Sequence, residues 1–292
     1  MTQQPLFSIL IANYNNGCYL QEAIDSVTSQ TYTHWEIVIV DDGSTDESNA
    51  IYAHYAEDPR FHIHHNGTNQ GCGYTKRRCA ELATGNLCGF LDPDDTLLPD
   101  ALQVHVEAHL AHPDCSTVFS RFYKCSEKLA ILSESRMLTI PNGESYFTHH
   151  DYRPEVLASF KTTCYKRTIG IDASLPAAVD QDLYFKLEEV APVFVLDHVT
   201  YNYRSTPNQI SQGDNEYKTL YWNLYVRHQT CLRRGLDPSQ YPARDMTMRM
   251  NKMADRLKCY QQSYEELSTS NAYRLGKALL HPVSLIRRKL HR

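Results

Sequence analysis

Along the first third of the chain, short apolar runs alternate with stretches whose apolar residues recur at helical spacing. FSILIA (Phe7 to Ala12) is a continuous run of apolar residues but for Ser8, the pattern of a strand covered on both faces. It is followed by Leu20, Ala23, Ile24 and Val27, one face of a helix. WEIVIV (Trp35 to Val40) is rich in β-branched residues and stops at DDGSTD, which reads as a turn and a helix start. Ile51 and Tyr55 mark the next helix, FHIHH a short strand, CAELATG a helix, and LCGFL another strand. This alternation predicts right-handed βαβ units: an α/β fold with a mostly parallel, Rossmann-like sheet flanked by helices on both faces.

Ligands of such sheets bind at the carboxyl ends of the strands. Three polar clusters follow three apolar strands here: Asn13-Tyr14-Asn15, Asp41-Asp42-Gly43-Ser44 and Asp92-Pro93-Asp94-Asp95. They are expected to meet at one sheet edge. Carboxylates gathered there repel one another unless something positive joins them, and a hard divalent cation with oxygen ligands is the usual partner. Residues i and i+2 of an extended segment point the same way, so Asp92 and Asp94 can face one ion or ligand, while Pro93 favours departure from the ladder. A plainer role for Asp95 or Thr96 is to cap a helix beginning near Pro99.

Composition narrows the choice. A chain of 292 residues makes one large domain, or one domain plus an appendage. A net charge of −5 gives no reason to expect nucleic acid as a partner. The nine cysteines contain no zinc-type C-x-x-C pair and read as free thiols of a reducing compartment. MTQQPLFSILIANYN lacks the basic and apolar regions of a secretory signal, and no stretch approaches the ~20 apolar residues of a membrane span. The expectation is a soluble, cytoplasmic protein.

FSILIANYNNGCYLQEAIDSVTSQTYTHWEIVIVDDGSTDES, with NQGCGYTKRRCAELATGNLCGFLDPDD after it, resembles the family 2 glycosyltransferases of the GT-A fold. The resemblance is strong from Phe7 to Asp100 and looser to about Ser211. It implies an inverting, metal-dependent enzyme of polysaccharide or glycoconjugate biosynthesis. Such an enzyme moves a sugar from a nucleotide diphosphate, a UDP-sugar being the first choice, to the hydroxyl of a glycan or lipid-linked acceptor. By position, Ala12 and Tyr14 line the base pocket, Asp41 accepts from the base imide, and Asp42 sits beside it. Ala12 stands where the family often has proline. Lys76 aligns with a family arginine of the nucleotide pocket, Asp92 approaches the ribose or donor sugar, and Asp94 ligates Mg²⁺ or Mn²⁺. Asp180, in VDQDLYFKLEEVAP, takes the place of the base that deprotonates the acceptor, although Val179 replaces the usual preceding Glu. Thr206, in TYNYRSTPNQIS, lies near the place of a frequent histidine.

Each assignment has a plainer counterpart. Lys76, Arg77 and Arg78 also read as solvated charges, Asp180 and Asp182 as first-turn acids complementing a helix dipole, and His62, His64 and His65 as a half-exposed strand face. A catalytically idle nucleotide-sugar-binding protein is the alternative from another class. A nucleotidyltransferase would need a Gly-rich phosphate loop that ANYNNG does not supply, and a hydrolase, which would use two carboxylates about a glycosidic bond, is set aside only by the nucleotide-binding pattern.

The organisation expected is a nucleotide-sugar-binding half (1–110), an acceptor-binding half (111–213) and a helical C-terminal extension (214–292). In the extension, Tyr217, Leu220, Tyr221, Leu224, Tyr225, His228 and Cys231 share one side of a helix ending at Gly235. Met246, Met250, Met253, Leu257, Tyr260, Tyr264 and Leu267 form a coiled-coil-like seam that can dimerise the protein or pack on the catalytic domain. AYRLGKALLHPVSLIRRKLHR carries six Lys or Arg residues among leucines and suits either an anionic membrane surface on the inner face of the cell membrane or a solvated tail.

Overall fold

The computed structural model describes residues 4–140, 144–149, 157–206, 216–240 and 244–270. The described strands form one sheet in the order β3-β2-β1-β4-β8-β6-β9-β5, with β7 paired to β6. They are β1 (Phe7–Asn13), β2 (Trp35–Asp41), β3 (Phe61–His65), β4 (Leu87–Phe90), β5 (Thr96–Leu97), β6 (Thr117–Cys125), β7 (Ile131–Glu134), β8 (Ser159–Lys161) and β9 (Val193–Arg204). The pairings β3·β2, β2·β1 and β1·β4 are parallel, with Asn13 opposite Asp41 and Leu10 opposite Phe90. β8 then runs antiparallel to both β4 and β6 and turns the sheet mixed. β1 therefore has β2 on one side and β4 on the other, which makes it the strand where the winding reverses and a crevice opens.

The alternation within β1 and β2 explains why both faces are covered. Leu10, Val38 and Val40 enter one core, together with side chains of α3 (Cys72–Leu82) and α7 (Val179–Glu188). Phe7, Ile9, Ile11, Ile37 and Ile39 enter the other, with Leu20, Ala23, Ile24 and Val27 of α1 (Gly17–Thr28) and with α4 (Ala101–Ala111). The helical face expected for α1 is the buried one. Helix α2 (Ser48–Tyr55) packs beside α1.

The second half differs from expectation in detail. Of Ser159 to Tyr165 only β8 is extended, and Thr162–Tyr165 turns into a short helix, α6. Tyr146–His149 is another single turn, α5. Helix α8 (Glu216–Arg234) ends at Gly235, whose φ of 66° gives the expected left-handed cap. Its buried face is Leu220, Asn223, Val226, Arg227, Thr230 and Cys231, while Tyr221 and Leu224 are exposed. The face is rotated because charge anchors it. Arg227 and Arg234 both lie over the Phe147 ring, at 4.3 and 4.9 Å, and Arg234 bonds Glu188 at 2.9 Å.

The chain divides into two compact units between Tyr241 and Pro242, and α8 falls in the first. The second unit contains α9 (Arg244–Thr269), with Tyr260 and Tyr264 exposed. The side chains of Met246, Met250, Met253, Leu257 and Leu267, and the basic tail, lie outside the described residues. No helix among the described residues is long and apolar enough to cross a membrane.

Candidate active site

The carboxyl ends of β1, β2 and β4 bring the three polar clusters together as expected. The Asp42 N–H donates to the Asn13 carbonyl over 2.8 Å, which ties the DDGS loop to the end of β1. Asp41 is buried, and its oxygens accept from the Tyr52 hydroxyl (3.0 Å) and from the Gly43 and Ser44 N–H groups (3.1 and 3.0 Å). Burial alone would raise its pKa, but the hydrogen bonds from Ser44, Tyr52 and His65 outweigh it and hold the carboxyl below the usual range. Asp42 is equally enclosed: it accepts from Asn66 Nδ2 (2.7 Å) and the N–H groups of Gln70 (2.8 Å) and Gly71 (2.9 Å). Both acids thus brace the DDGS loop, Asp41 with Oδ1 on the Tyr52 hydroxyl and Oδ2 on the Gly43 and Ser44 N–H groups. Tyr14, 46 % exposed, and the half-buried Ala12 stand at the end of β1.

The acid loop after β4 is held from behind by β9. The Asp92 N–H donates to the Tyr201 hydroxyl (3.1 Å), and the Arg204 N–H donates to Asp95 Oδ1 (2.7 Å). The buried Arg204 guanidinium donates to the Asp94 carbonyl (2.5 Å) and the Glu127 carbonyl (2.6 Å), pairs with Glu22, and lies 4.8 Å over the Tyr19 ring. Asp95 is buried by this clamp, and burial, then the charges of Asp94 and Asp92, push it well above the ordinary carboxyl range. Asp95 is thus a support of the loop. Asp92 and Asp94 remain accessible from the cleft.

Asp180 arrives from the opposite wall. Ala178, at φ 58°, is left-handed and starts α7, so Asp180 falls in the first helical turn, where the helix dipole favours a negative charge. Asp182, two residues on, points inward and is buried with Lys186 Nζ at 2.6 Å. Only Asp180 faces the cleft.

Between Asp180 and the acid loop sits Lys76, from α3. Its Nζ is 2.9 and 3.1 Å from the two Asp180 oxygens and 3.0 Å from Asp92 Oδ1. Its own side chain is 7 % exposed, whereas those of Asp92 and Asp180 are each 40 % exposed. The acids line the floor of a cleft and the ammonium lies beneath them. Burial would lower Lys76, but the charges of Asp180 and Asp92 hold it well above its usual value. Asp180 is raised, first by desolvation and then by Asp92, against the lowering effect of Lys76. The gathered acids were expected to require a positive partner, and the fold supplies part of it from its own sequence.

A divalent cation is tested by the donor set. Asp94 is half-buried, and the Thr206 hydroxyl is 3.4 Å from its Oδ2. Among the described residues no group of three or more His, Cys, Asp or Glu is arranged to hold a metal. One carboxylate, a hydroxyl and the phosphates of a substrate fit a hard ion such as Mg²⁺ or Mn²⁺, which keeps water in its shell. The FHIHH histidines are separate: His62 is 3.3 Å from Glu36, and His65 is 3.6 Å from Asp41. Arg77 pairs with Glu81, and Arg78 donates to the His65 carbonyl.

Arg204 and Tyr201 were not singled out from the sequence, although the TYNYR run was. Their partners lie in segments far away along the chain. The approach of α3 to the loop before α7 was equally hidden. Gly73 donates to the Leu175 carbonyl (3.0 Å), and a Cβ there would meet the Asp172 and Leu175 carbonyls at 2.6 Å.

Known proteins resemble this chain to differing extents. Escherichia coli chondroitin synthase is 31 % identical over 202 residues, covering 68 % of this chain, and the chain spans 29 % of that relative's length. Residues 1–349 of Staphylococcus aureus TarS, in complex with UDP, superpose with a TM-score of 0.61 at 20 % identity, over 80 % of this chain and 68 % of that 1–349 chain. A Pyrobaculum calidifontis mannosyltransferase in complex with GDP-Man and Mn²⁺ gives 0.56 at 16 % identity, over 95 % and 84 %. These structures show the shared GT-A fold. Residues 8–169, more than half of the 292-residue chain, match glycosyl transferase family 2, and with the acids placed at the sheet's switch point the chain belongs to that family.

Proposed function

We propose that the protein transfers a sugar, with inversion, from a nucleotide diphosphate donor to an acceptor hydroxyl in polysaccharide or glycoconjugate assembly. The observation that carries this reading is the convergence of Asp92, Lys76 and Asp180 at the strand ends beside the DDGS loop. Asp180, anionic and open to the cleft, takes the proton of the acceptor hydroxyl. The acceptor oxygen bonds to the anomeric carbon from the side opposite the diphosphate, and the bond to the diphosphate breaks with its electron pair leaving on phosphate. One carboxylate on the acceptor side suits a single displacement. Asp94, with Thr206 beside it, would hold Mg²⁺ or Mn²⁺, which when bound neutralises charge on the leaving diphosphate. Tyr14 offers an exposed ring against which the base can stack, with Asp41 and Asp42 shaping the wall behind.

UDP is the proposed nucleotide, a reading supported by TarS, solved with UDP, and by chondroitin synthase as a sequence relative. The mannosyltransferase, solved with GDP-Man, makes GDP-sugars the comparison arm. The test is nucleotide diphosphate release from a panel of UDP- and GDP-sugars with Mn²⁺ or Mg²⁺. Turnover of a UDP-sugar that Asp94→Asn makes metal-insensitive supports the reading; no release from any donor refutes it.

A further inference from the structure

Lys76 aligns with a residue expected to contact the nucleotide, yet its surroundings direct it elsewhere. An ammonium has three N–H bonds, and three carboxylate oxygens lie within 3.1 Å of this one: both oxygens of Asp180 and one of Asp92. The nitrogen also lies 5.1 Å from the Phe90 ring centroid, and the side chain is enclosed. Its helix is fixed to the loop entering α7 through Gly73 and Leu175, so the ammonium and Asp180 are held by one joint. A lysine cannot fork a phosphate or a base edge in the bidentate way of arginine, but it serves well as a compact point charge.

We infer that Lys76 is a positioning residue for the acceptor-side base, fixing the Asp180 carboxylate and balancing it against Asp92, rather than a grip on the donor nucleotide. This inference rests on the transfer reading above.

Among the described residues the charges around Asp180 are few. On α3 they are Lys76 and the neutral thiol of Cys72, which burial pushes up to about 12. On the acid loop there is Asp92. On its own helix, Asp182 and Lys186 neutralise each other. Removing the ammonium leaves two carboxylates facing one another, and Asp180 then holds a proton over more of the pH range and cannot accept one from the acceptor. During transfer Lys76 gives up no proton; when Asp180 becomes neutral, the ammonium stays paired with Asp92.

The experiment compares wild type with Lys76→Met, Lys76→Arg and Asp92→Asn, measuring UDP affinity by calorimetry with Mn²⁺ and diphosphate release across pH. Expected for Lys76→Met are a UDP Kd within about threefold of wild type, kcat lower by about a hundredfold, and an acidic limb of the pH profile moved upward. Lys76→Arg restores most of kcat. Asp92→Asn, which leaves Lys76 to Asp180 alone, moves the limb downward even if Lys76→Met fails to fold. Loss of UDP affinity in step with kcat in Lys76→Met, or an unmoved limb in both variants, overturns the inference and leaves the transfer reading standing. A wild type that releases no diphosphate from any donor removes both.

Discussion

The Arg204 guanidinium donates to the backbone carbonyl of Asp94 over 2.5 Å, so the residue expected to hold the metal is fixed through its main chain by a side chain from the far end of β9. The same guanidinium reaches the Glu127 carbonyl and the Glu22 carboxylate, joining the acid loop to the turn after β6 and to α1. Arg204→Met should therefore cost about 2–3 kcal/mol in urea unfolding, the range for lost hydrogen bonds of a buried charged group. It should also weaken Mn²⁺ binding about tenfold by calorimetry. Arg204→Lys, which keeps the charge but not the fork, should fall between. Unchanged metal affinity in Arg204→Met would separate the clamp from the ion.

Gly73→Ala tests the joint between α3 and α7. The added methyl meets two carbonyl oxygens at 2.6 Å, so the helix or the loop must shift, at about 1–3 kcal/mol. Because Lys76 is on that helix, kcat should fall at least tenfold while UDP affinity is kept. Equal losses in both would place the effect in general destabilisation.

Much of this arrangement was legible along the chain. The apolar runs Phe7–Ala12 and Trp35–Val40 became β1 and β2, and the polar residues that end them, with Asp92 and Asp94, stand at the predicted edge because parallel strands start together and end together. The resemblance placed the base at Asp180 rather than Asp182, and the left-handed turn at Ala178, where α7 starts, accompanies Asp180 facing the cleft while Asp182 is buried with Lys186. The buried face of α8 was misread because Asn223, Arg227 and Thr230 lie in it: Arg227 is held by cation–π and hydrogen-bond contacts to Phe147 and Thr230 donates to the Val226 carbonyl, contacts that a hydrophobic count does not register. Arg204 was missed for a similar reason: its partners are scattered over α1, the acid loop and the turn after β6.

A buried pair on the other face gives a pH prediction. His105 Nδ1 and His109 Nε2 both contact the Ser159 hydroxyl, at 2.7 and 2.9 Å, and burial pushes each histidine down to about 3. The unfolded chain binds protons at these sites below the ordinary histidine value near 6.5, and the folded chain does not. Stability is therefore full above pH 6.5 and is lost as pH falls toward 3, by up to about 1.4 kcal/mol per pH unit for each histidine. Urea midpoints measured at pH 7.5, 6 and 5 should decline in that order; a flat series would show that the pair is charged or exposed in the folded state.

Tyr52→Phe removes the hydroxyl that donates to Asp41 and accepts from Asn13 Nδ2 at 2.7 Å. The loss should be about 1 kcal/mol, with a weaker hold on the DDGS loop. UDP affinity should drop severalfold and kcat at saturation should stay near wild type. A kcat loss at unchanged affinity would place the DDGS loop in the chemical step.

The central claim is that Asp180 removes the acceptor proton, and Asp180→Asn tests it most directly because amide and carboxylate have the same shape. With the donor that wild type turns over, diphosphate release by Asp180→Asn should fall by a thousandfold or more while the UDP Kd measured by calorimetry stays within about threefold. Turnover by Asp180→Asn within tenfold of wild type would contradict the account.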